Sequence, residues 1–350
     1  MDAHYKSSQK PYATPKIGER LLLIGGVRKS GTSTLFHTIA DHPQVSTTWM
    51  KEPQFLALHP DVVRNNLHWY VNLFENHRDG QVMLDGSTWC FTSPWTASIL
   101  RRFFEQPRVI LLIRDPAKRA YSGYLHMHKQ VPCADSRSFD EILNKVERAS
   151  NTKSLSVAEN GVLKEAIAAG KVEKSYRTTN FHRERADASF DTKLDDMQVE
   201  FKYFQESCYS NYLPRFERRL GDDLMVVVLE ELIAHPQQVL QDIFEFAQLS
   251  VDGSNLELRY ENRTHLPRNR FTRTLMEART KFPILDATAR LLKSLGLRRL
   301  GRQFRLKCLR QSKPKISEDQ YQRARQLLKS EYNYWADRRP VTRDYWQIEK

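Results

Sequence analysis

The chain has 350 residues, of which 40% are hydrophobic and 28% charged, and its formal net charge is +13. No apolar run approaches the roughly 18 residues needed to span a bilayer, and the N-terminus lacks the apolar core of a signal peptide. The four cysteines show no CxxC spacing, which argues against a zinc site and against a disulfide framework. We therefore expect a soluble globular protein of a reducing compartment, with one large domain or two small ones.

The N-terminal part of the sequence predicts a strand, a glycine-containing turn and a helix. Residues 1–16 are predicted to form a flexible arm, and Leu21–Val27 a buried strand. The helix runs from about Thr32 to Asp41 and stops there because Pro43 cannot continue it. The backbone N–H groups of such a turn and of the first helical turn point at one spot and bind phosphate. The candidate phosphate-binding residues are Arg28, Lys29, Ser30, Gly31, Thr32 and Ser33.

The position of the lysine distinguishes this turn from an ordinary ATP or GTP loop. A Walker A loop requires the pattern Gly-x4-Gly-Lys-Ser/Thr. Gly26 and Gly31 have the correct spacing, but Thr32 occupies the lysine position. The lysine is Lys29, inside the turn. The sequence thus predicts a nucleotide-phosphate loop that differs from those of kinases and GTPases.

A second phosphate site is predicted where another buried strand ends. Val109–Ile113 is a continuous apolar run, as expected of a central parallel strand. A Walker B strand should end in a magnesium-binding aspartate, whereas this strand is followed by Arg114, whose guanidinium suits a phosphate. Ser122, two helical turns later, can add a hydroxyl donor, and no metal is needed. The alternative for Arg114 is a salt bridge to a nearby carboxylate such as Asp115.

The remaining elements extend this pattern into one α/β domain, expected over residues 17–345. Short strands are predicted at Gln81–Leu84 and Leu224–Leu229, and a helix at Pro236–Leu249. Alternating strands and helices imply a central parallel sheet flanked by helices, a P-loop-like nucleotide fold. Residues 135–200 are polar and are expected to be an inserted helical or mobile segment, and the C-terminal region is expected to be helical.

Residues 257–315 contain 17 Lys/Arg and 4 Asp/Glu, which account for the whole positive excess of the chain. Apolar residues between Ile284 and Leu300 recur at near-helical spacing, so a basic amphipathic helix is predicted there. Such charge attracts polyanions such as a nucleotide, an anionic glycan or an acidic membrane. Packing of this helix onto the domain, with a solvated basic face, is the alternative to peripheral membrane contact.

With both phosphate motifs the chain resembles the sulfotransferases that use 3′-phosphoadenosine 5′-phosphosulfate. The turn from Gly26 to Ser33 is similar to the family's 5′-phosphosulfate loop, and Arg114 to Ser122 to its 3′-phosphate motif. The resemblance implies that 3′-phosphoadenosine 5′-phosphosulfate is the donor, that adenosine 3′,5′-bisphosphate is the product and that no metal is required. It also implies that Lys29 stabilises charge on the bridging oxygen between phosphate and sulfate.

The segments 42–45 and 50–55 resemble the carbohydrate branch of that family, especially the heparan sulfate and N-acetylgalactosamine 4-sulfate 6-O enzymes. In those enzymes a glutamate at the position of Glu52 deprotonates the acceptor hydroxyl. The chain departs from the heparan sulfate 3-O type, which has a lysine where Gly86 stands and a pair of C-terminal cysteines that is missing here. Both departures weigh against a heparan substrate.

The residues also support Glu52 without this resemblance, because it lies in a turn on the ligand-binding edge of the predicted sheet. The alternative is a surface glutamate paired with Lys51. Several other side chains are candidates for acceptor contact, although the histidines among them could be structural and the aromatic residues could belong to the core. These candidates are Lys51, Gln54, Trp69, Tyr70, Asp85, Trp89, His126 and His128.

We expect an enzyme that transfers a sulfuryl group to a hydroxyl, most simply that of a carbohydrate. Sulfation of a small alcohol, phenol or amine is the alternative reaction, and a non-catalytic polyanion-binding module is the alternative from another class. A kinase is disfavoured by the missing Walker lysine and aspartate, and no nucleic acid partner is expected. The expected location is cytoplasmic, or the Golgi lumen if a membrane anchor precedes the sequence.

Overall fold

The computed structural model describes residues 16–128, 137–151, 199–250, 258–259, 265–267, 309–311 and 314–348. The strands are β1 (Ile17–Gly26), β2 (Val45–Thr47), β3 (Val82–Asp85), β4 (Phe104–Ile113), β5 (Leu224–Val228), β6 (His265–Pro267) and β7 (Leu309–Gln311). The helices are α1 (Thr32–Ala40), α2 (Pro60–Val71), α3 (Thr96–Phe103), α4 (Pro116–His128), α5 (Phe139–Asn151), α6 (Val199–Gln205), α7 (Leu213–Leu220), α8 (Leu229–Ala234), α9 (Pro236–Phe246), α10 (Glu318–Leu327), α11 (Lys329–Arg338) and α12 (Val341–Trp346).

The first five strands form one parallel sheet in the order β2-β3-β1-β4-β5. β1 is central, with Leu23 opposite both Asp85 of β3 and Val109 of β4. A strand with neighbours on both sides and cover on both faces must be apolar throughout, and Leu21–Gly26 is buried without interruption. This sheet confirms the predicted α/β fold. It also brings the ends of β1, β3 and β4 to one edge, where ligands bind in such folds.

The two faces of the sheet are covered by separate sets of helices. Leu22 and Ile24 of β1 pack in the layer that contains α1 and α9, whereas Leu21 and Leu23 pack in the layer with α2, α3, α4 and the C-terminal helices. Each fully buried leucine stabilises the fold by roughly 1.5–3 kcal/mol relative to an exposed one. Successive residues of β1 therefore pack alternately into the two hydrophobic layers on opposite faces of the sheet.

Two strands begin earlier than the sequence predicted, for the same physical reason. β4 starts at Phe104 instead of Val109, and β1 at Ile17 instead of Leu21. Their first residues include exposed polar side chains, Glu105 and Gln106 in β4, so hydropathy identifies only the buried end of each strand. The buried ends, from which the proposed phosphate-binding segments follow, agree with the prediction to within one residue.

Within the segment expected to be an insertion, residues 135–200, the described residues include α5, which packs into the core of the domain. Helix α5 buries four side chains in the same layer as α4, namely Phe139, Ile142, Leu143 and Val146. Residues 152–198 of this segment lie outside the described part of the chain.

In the basic region, β6 and β7 pair in antiparallel fashion, with Leu266 opposite Arg310. The amphipathic helix predicted between Ile284 and Leu300 lies outside the described residues. Downstream, α10 to α12 pack on the core and give the C-terminal region its expected helical character. Among the residues described, no helix has the length and apolar character that crossing a membrane would require.

Candidate active site

The turn between β1 and α1 depends on two glycines. Gly31 has a φ of +90°, and a Cβ added there would lie 2.7 Å from Cδ1 of Leu229. A Cβ on Gly26 would lie 2.6 Å from Cβ of Phe91. Gly31 is also the N-cap of α1 and offers no side-chain acceptor to the first N–H groups of that helix. These N–H groups and the helix dipole therefore favour an anion at the turn.

The end of β4 is joined to this turn through Arg114. Its Nη1 donates a hydrogen bond to the Lys29 carbonyl oxygen at 3.2 Å. The Arg114 Nε and the Ser30 Oγ are buried and have no hydrogen-bond partner among the described residues. Buried polar groups are normally paired, so these two atoms fit a site built for a ligand rich in acceptor oxygens. The two segments predicted to bind phosphate are thus in direct contact in the folded protein.

Arg28 lies beside this site and is not a freely solvated side chain. Its guanidinium is 3.6 Å from Oε1 of Glu206 and lies over the Trp89 ring, 5.6 Å from the ring centroid. Trp89, proposed as a sugar-stacking residue, is half-buried. The Arg28 side chain, which belongs to the turn, is therefore held by Glu206 and Trp89.

Arg119 binds the backbone of the turn and was not identified from the sequence. This α4 side chain is 1% exposed, pairs with Glu206 and donates to the carbonyl oxygens of Arg28 and Tyr203, each at 3.0 Å. Burial lowers the pKa of its guanidinium to about 10. The local sequence does not indicate that Arg119 is buried while the neighbouring Lys118 is only half-buried. Arg119 is buried beside Glu206, which only the tertiary fold brings close.

Glu52, the proposed base, lies on the loop after β2 and has 34% of its side chain exposed. One carboxylate oxygen accepts hydrogen bonds from Gln54 Nε2 at 3.0 Å and from Thr88 Oγ1 at 3.3 Å. The other oxygen lies 3.3 Å from the Lys51 ammonium. The pairing with Lys51 is therefore present, and the carboxylate is nevertheless accessible and held from three sides.

Lys51 also connects Glu52 to the first turn of α1. Its ammonium donates to the hydroxyl of Ser33 on α1. Ser33 was expected to face the donor, and Lys51 the acceptor. The Lys51 ammonium thus contacts both the first turn of α1 and the proposed base.

Gln54 uses both ends of its amide to position its neighbours. Its Nε2 bonds to Glu52, and its Oε1 accepts from the backbone N–H of Trp89 at 3.1 Å. Its own backbone N–H donates to Ser87 Oγ at 2.8 Å. Gln54 therefore fastens the loop after β2 to the loop after β3.

Asp85, proposed for acceptor contact from the sequence, is enclosed by the domain instead of lying on an open surface. It is fully buried, and its two carboxylate oxygens accept from Ser87 N–H and from the Tyr70 hydroxyl, each at 2.8 Å. Desolvation raises the pKa of Asp85 to about 6, against the lowering effect of these hydrogen bonds. Tyr70 is also core, since its ring stacks on Phe55 with centroids 5.0 Å apart. Trp69 packs against the same ring, 5.6 Å away.

The two histidines at the end of α4 have different environments. His126 is exposed, and its Nδ1 lies 3.5 Å from the Lys29 ammonium. Ser122 is half-buried one helical turn earlier, so it shares a helix face with His126. His128 is half-buried and packs on the Tyr124 ring, with centroids 5.2 Å apart. His126 therefore lies against the turn between β1 and α1.

An exposed aromatic residue near Glu52 was not identified from the sequence. Trp49 is 63% exposed and lies three residues before Glu52 on the same loop.

The described residues contain no cluster of three or more His, Cys, Asp or Glu side chains that could hold a metal ion.

Residues 19–282 match the family described as the sulfotransferase domain. Human heparan sulfate glucosamine 3-O-sulfotransferase 3B1 is 28% identical over 120 residues, which cover 33% of this chain and 30% of that protein. The membrane-associated sulfotransferase kil1 of Dictyostelium discoideum is 28% identical over 127 residues, or 34% of this chain and 26% of that protein. The alignments thus span less than a third of either relative.

Among solved structures, a sulfotransferase from Alicyclobacillus acidocaldarius aligns with a TM-score of 0.48 and 19% identity, over 70% of this chain and 87% of that one. The family match alone covers well over half of the sequence. The chain therefore belongs to the sulfotransferase-domain family.

Proposed function

We propose that the protein transfers a sulfuryl group from 3′-phosphoadenosine 5′-phosphosulfate to a hydroxyl of a carbohydrate. The observation that carries this proposal is the hydrogen bond from Arg114 to the Lys29 carbonyl, which joins two phosphate motifs that lie 85 residues apart. A nucleotide with phosphates at both its 3′ and 5′ positions needs two such sites, whereas ATP needs one. Membership of the sulfotransferase-domain family supports the same donor.

Donor binding, proton removal and charge stabilisation are carried out by different residues of the site. The turn from Gly26 to Ser33 holds the 5′-phosphosulfate, and Arg114 with Ser122 holds the 3′-phosphate. Glu52 accepts the proton of the acceptor hydroxyl as its oxygen bonds to sulfur. The bond from sulfur to the bridging oxygen breaks, and Lys29 stabilises the negative charge that develops there.

A carbohydrate acceptor is supported by the surroundings of Glu52. The base is held by Lys51, Gln54 and Thr88 at the edge of the sheet. The exposed Trp49 offers a flat apolar face of the kind that packs against a sugar ring. Relatives named as heparan sulfate sulfotransferases align with this chain, but Gly86 departs from their 3-O type. A glycan other than heparan sulfate is therefore proposed.

Nucleotide-binding measurements, made without turnover, test the identity of the donor. Adenosine 3′,5′-bisphosphate should bind in the presence of EDTA and more tightly than ATP with magnesium, as measured by calorimetry. Arg114→Ala should weaken bisphosphate binding by about tenfold or more, because a charge-assisted hydrogen bond is lost. Arg64→Ala is the matched control, since Arg64 is an exposed α2 residue paired with Asp61.

Turnover then tests the acceptor. Sulfate transfer from labelled donor is compared between glycans and small alcohols, phenols or amines. Preferential labelling of small alcohols would overturn the carbohydrate assignment. Equal affinity of the parent protein for ATP with magnesium would overturn the donor assignment.

A further inference from the structure

We propose that the C-terminal helices α10 and α11 determine selectivity for the 3′-phosphate by holding Asp115, and through it Arg114, in place. Asp115, Tyr321 and Tyr332 are then positioning residues rather than ligands. This inference rests on the proposed donor. It extends the donor site to a part of the chain beyond residue 282, where the family match ends.

The carboxylate of Asp115 is fully buried and is held mainly by the C-terminal helices. Its Oδ2 accepts a hydrogen bond from the Tyr321 hydroxyl at 2.6 Å, and its Oδ1 accepts one from the Tyr332 hydroxyl at 2.9 Å. The backbone N–H of Lys118 adds a third bond at 2.9 Å. A buried carboxylate is costly unless it is hydrogen-bonded in this way, so the two tyrosines fix where Asp115 lies.

The backbone around Arg114 is held by further bonds from distant elements. The Tyr209 hydroxyl donates to the Arg114 carbonyl at 2.9 Å. The Asp115 N–H donates to Glu230 at 3.2 Å, and the same carboxylate accepts from the Trp346 indole at 3.1 Å. The peptide that carries Arg114 is therefore fixed from several sides, and one of its tethers leads to α12.

The guanidinium of Arg114 extends from this fixed peptide toward the phosphate-binding turn. One nitrogen bonds to the Lys29 carbonyl, and Nε is buried without a partner among the described residues. Recognition of a phosphate by a guanidinium needs placement to within about 0.5 Å. Removal of the tyrosine hydroxyls takes away two of the hydrogen bonds to the Asp115 carboxylate. The backbone bonds from Tyr209 and to Glu230 remain, and the Arg114 side chain next to Asp115 is then placed less precisely.

The test compares two nucleotides that differ only in the 3′-phosphate. Calorimetry on the full-length protein gives the dissociation constants of adenosine 3′,5′-bisphosphate and adenosine 5′-monophosphate. In the Tyr321→Phe/Tyr332→Phe variant, which keeps both rings, we expect the bisphosphate to bind about tenfold more weakly. The monophosphate should change by less than about twofold, within the effect of ordinary surface changes.

A matched control comes from the same helix. The Tyr334 hydroxyl on α11 is buried and has no hydrogen-bond partner among the described residues. Tyr334→Phe therefore removes a hydroxyl from α11 without touching Asp115, and the selectivity ratio should stay at the parent value. Thermal unfolding of each variant verifies that it folds. Should the double variant not fold, Tyr321→Phe alone is decisive.

The outcomes separate this inference from the proposed function. A lower melting temperature with an unchanged ratio of the two dissociation constants would reduce the tyrosines to structural supports and overturn the inference. A parent protein without preference for the bisphosphate would overturn the proposed donor, and this inference with it.

Discussion

At the scale of single residues, Glu52, the proposed base, is held in place without being buried. Lys51, Gln54 and Thr88 each approach its carboxylate, yet a third of the side chain stays exposed. A general base must be ionised and must reach the proton that it removes. The contacts of Glu52 come from hydrogen-bond donors and a cation, and an acceptor hydroxyl can reach the open side of the carboxylate.

Replacement of Glu52 by glutamine should separate catalysis from donor binding. The side chain keeps its shape but no longer accepts a proton, so the sulfation rate should fall by about 10²-fold or more. The affinity for adenosine 3′,5′-bisphosphate should stay within twofold of the parent value. Steady-state rates and calorimetry provide the two readouts, with the exposed Glu75→Gln as the matched control. Parent-like turnover would direct attention to His126, which lies near Lys29.

Gly86 provides a second residue-scale prediction. A Cβ at this position would lie 2.8 Å from the Phe36 ring. Gly86→Ala should therefore destabilise the protein by about 1–3 kcal/mol, the usual cost of overpacking. In combination with Phe36→Leu the loss should be smaller than the sum of the two single losses, which chemical denaturation can measure. Simple additivity would contradict the contact.

At the scale of elements, the end of β3 carries a buried carboxylate with a consequence for pH. Desolvation, assisted by the nearby charge of Glu52, raises the pKa of Asp85 from 3.8 to about 6 in the folded protein. The folded state then binds more protons than the unfolded state between these two values. This contribution to stability is fully present below pH 3.8 and is lost as the pH rises through 6.

Asp85→Asn should remove that dependence. Between about pH 4 and 7 the free energy of unfolding of the parent should decline relative to the variant, by up to about 3 kcal/mol for two pKa units. Urea titrations at a series of pH values measure the difference in the free energy of unfolding between the two proteins. The contributions of groups that titrate in both proteins cancel in this difference. A difference that does not vary with pH would show that Asp85 titrates normally.

The elements also show which parts of the site a sequence can predict. The turn after β1 and Arg114 after β4 could be proposed as phosphate-binding from the sequence, because each motif is local and each follows an apolar strand. Arg119, Glu206 and the tyrosines around Asp115 were missed, because their roles depend on contacts between distant segments. The burial of Asp85 was missed for the same reason, since its sequence position at a strand end gives no sign that Tyr70 and Ser87 enclose it.

At the scale of the whole molecule, the positive charge is concentrated rather than spread. Residues 257–315 hold the full excess of +13, and Arg259 within this region pairs with Asp41 at 2.9 Å. A field of this kind attracts anionic ligands over a distance that salt shortens, from about 10 Å at 0.1 M to about 3 Å at 1 M.

The Michaelis constant of the acceptor should therefore report the charge of the acceptor. With saturating donor, an anionic glycan should show a constant that rises steeply with salt concentration, whereas a neutral sugar should show little change. A salt series with both acceptors makes the comparison. A flat response of the anionic glycan would mean that the basic region does not attract the acceptor.

The hydrogen bond between Tyr321 and Asp115 has a consequence for the order of events during synthesis. The two residues are 206 positions apart, so at 5–20 residues per second the ribosome adds Tyr321 roughly 10–40 s after Asp115. Over that interval the nascent chain already contains both phosphate motifs but not the helices that hold them. Ribosome-bound chains ending before α10 should therefore be retained poorly on immobilised adenosine 3′,5′-bisphosphate, and chains that extend well past Trp346 should be retained. Nucleotide capture would then begin only when the last helices have emerged and docked.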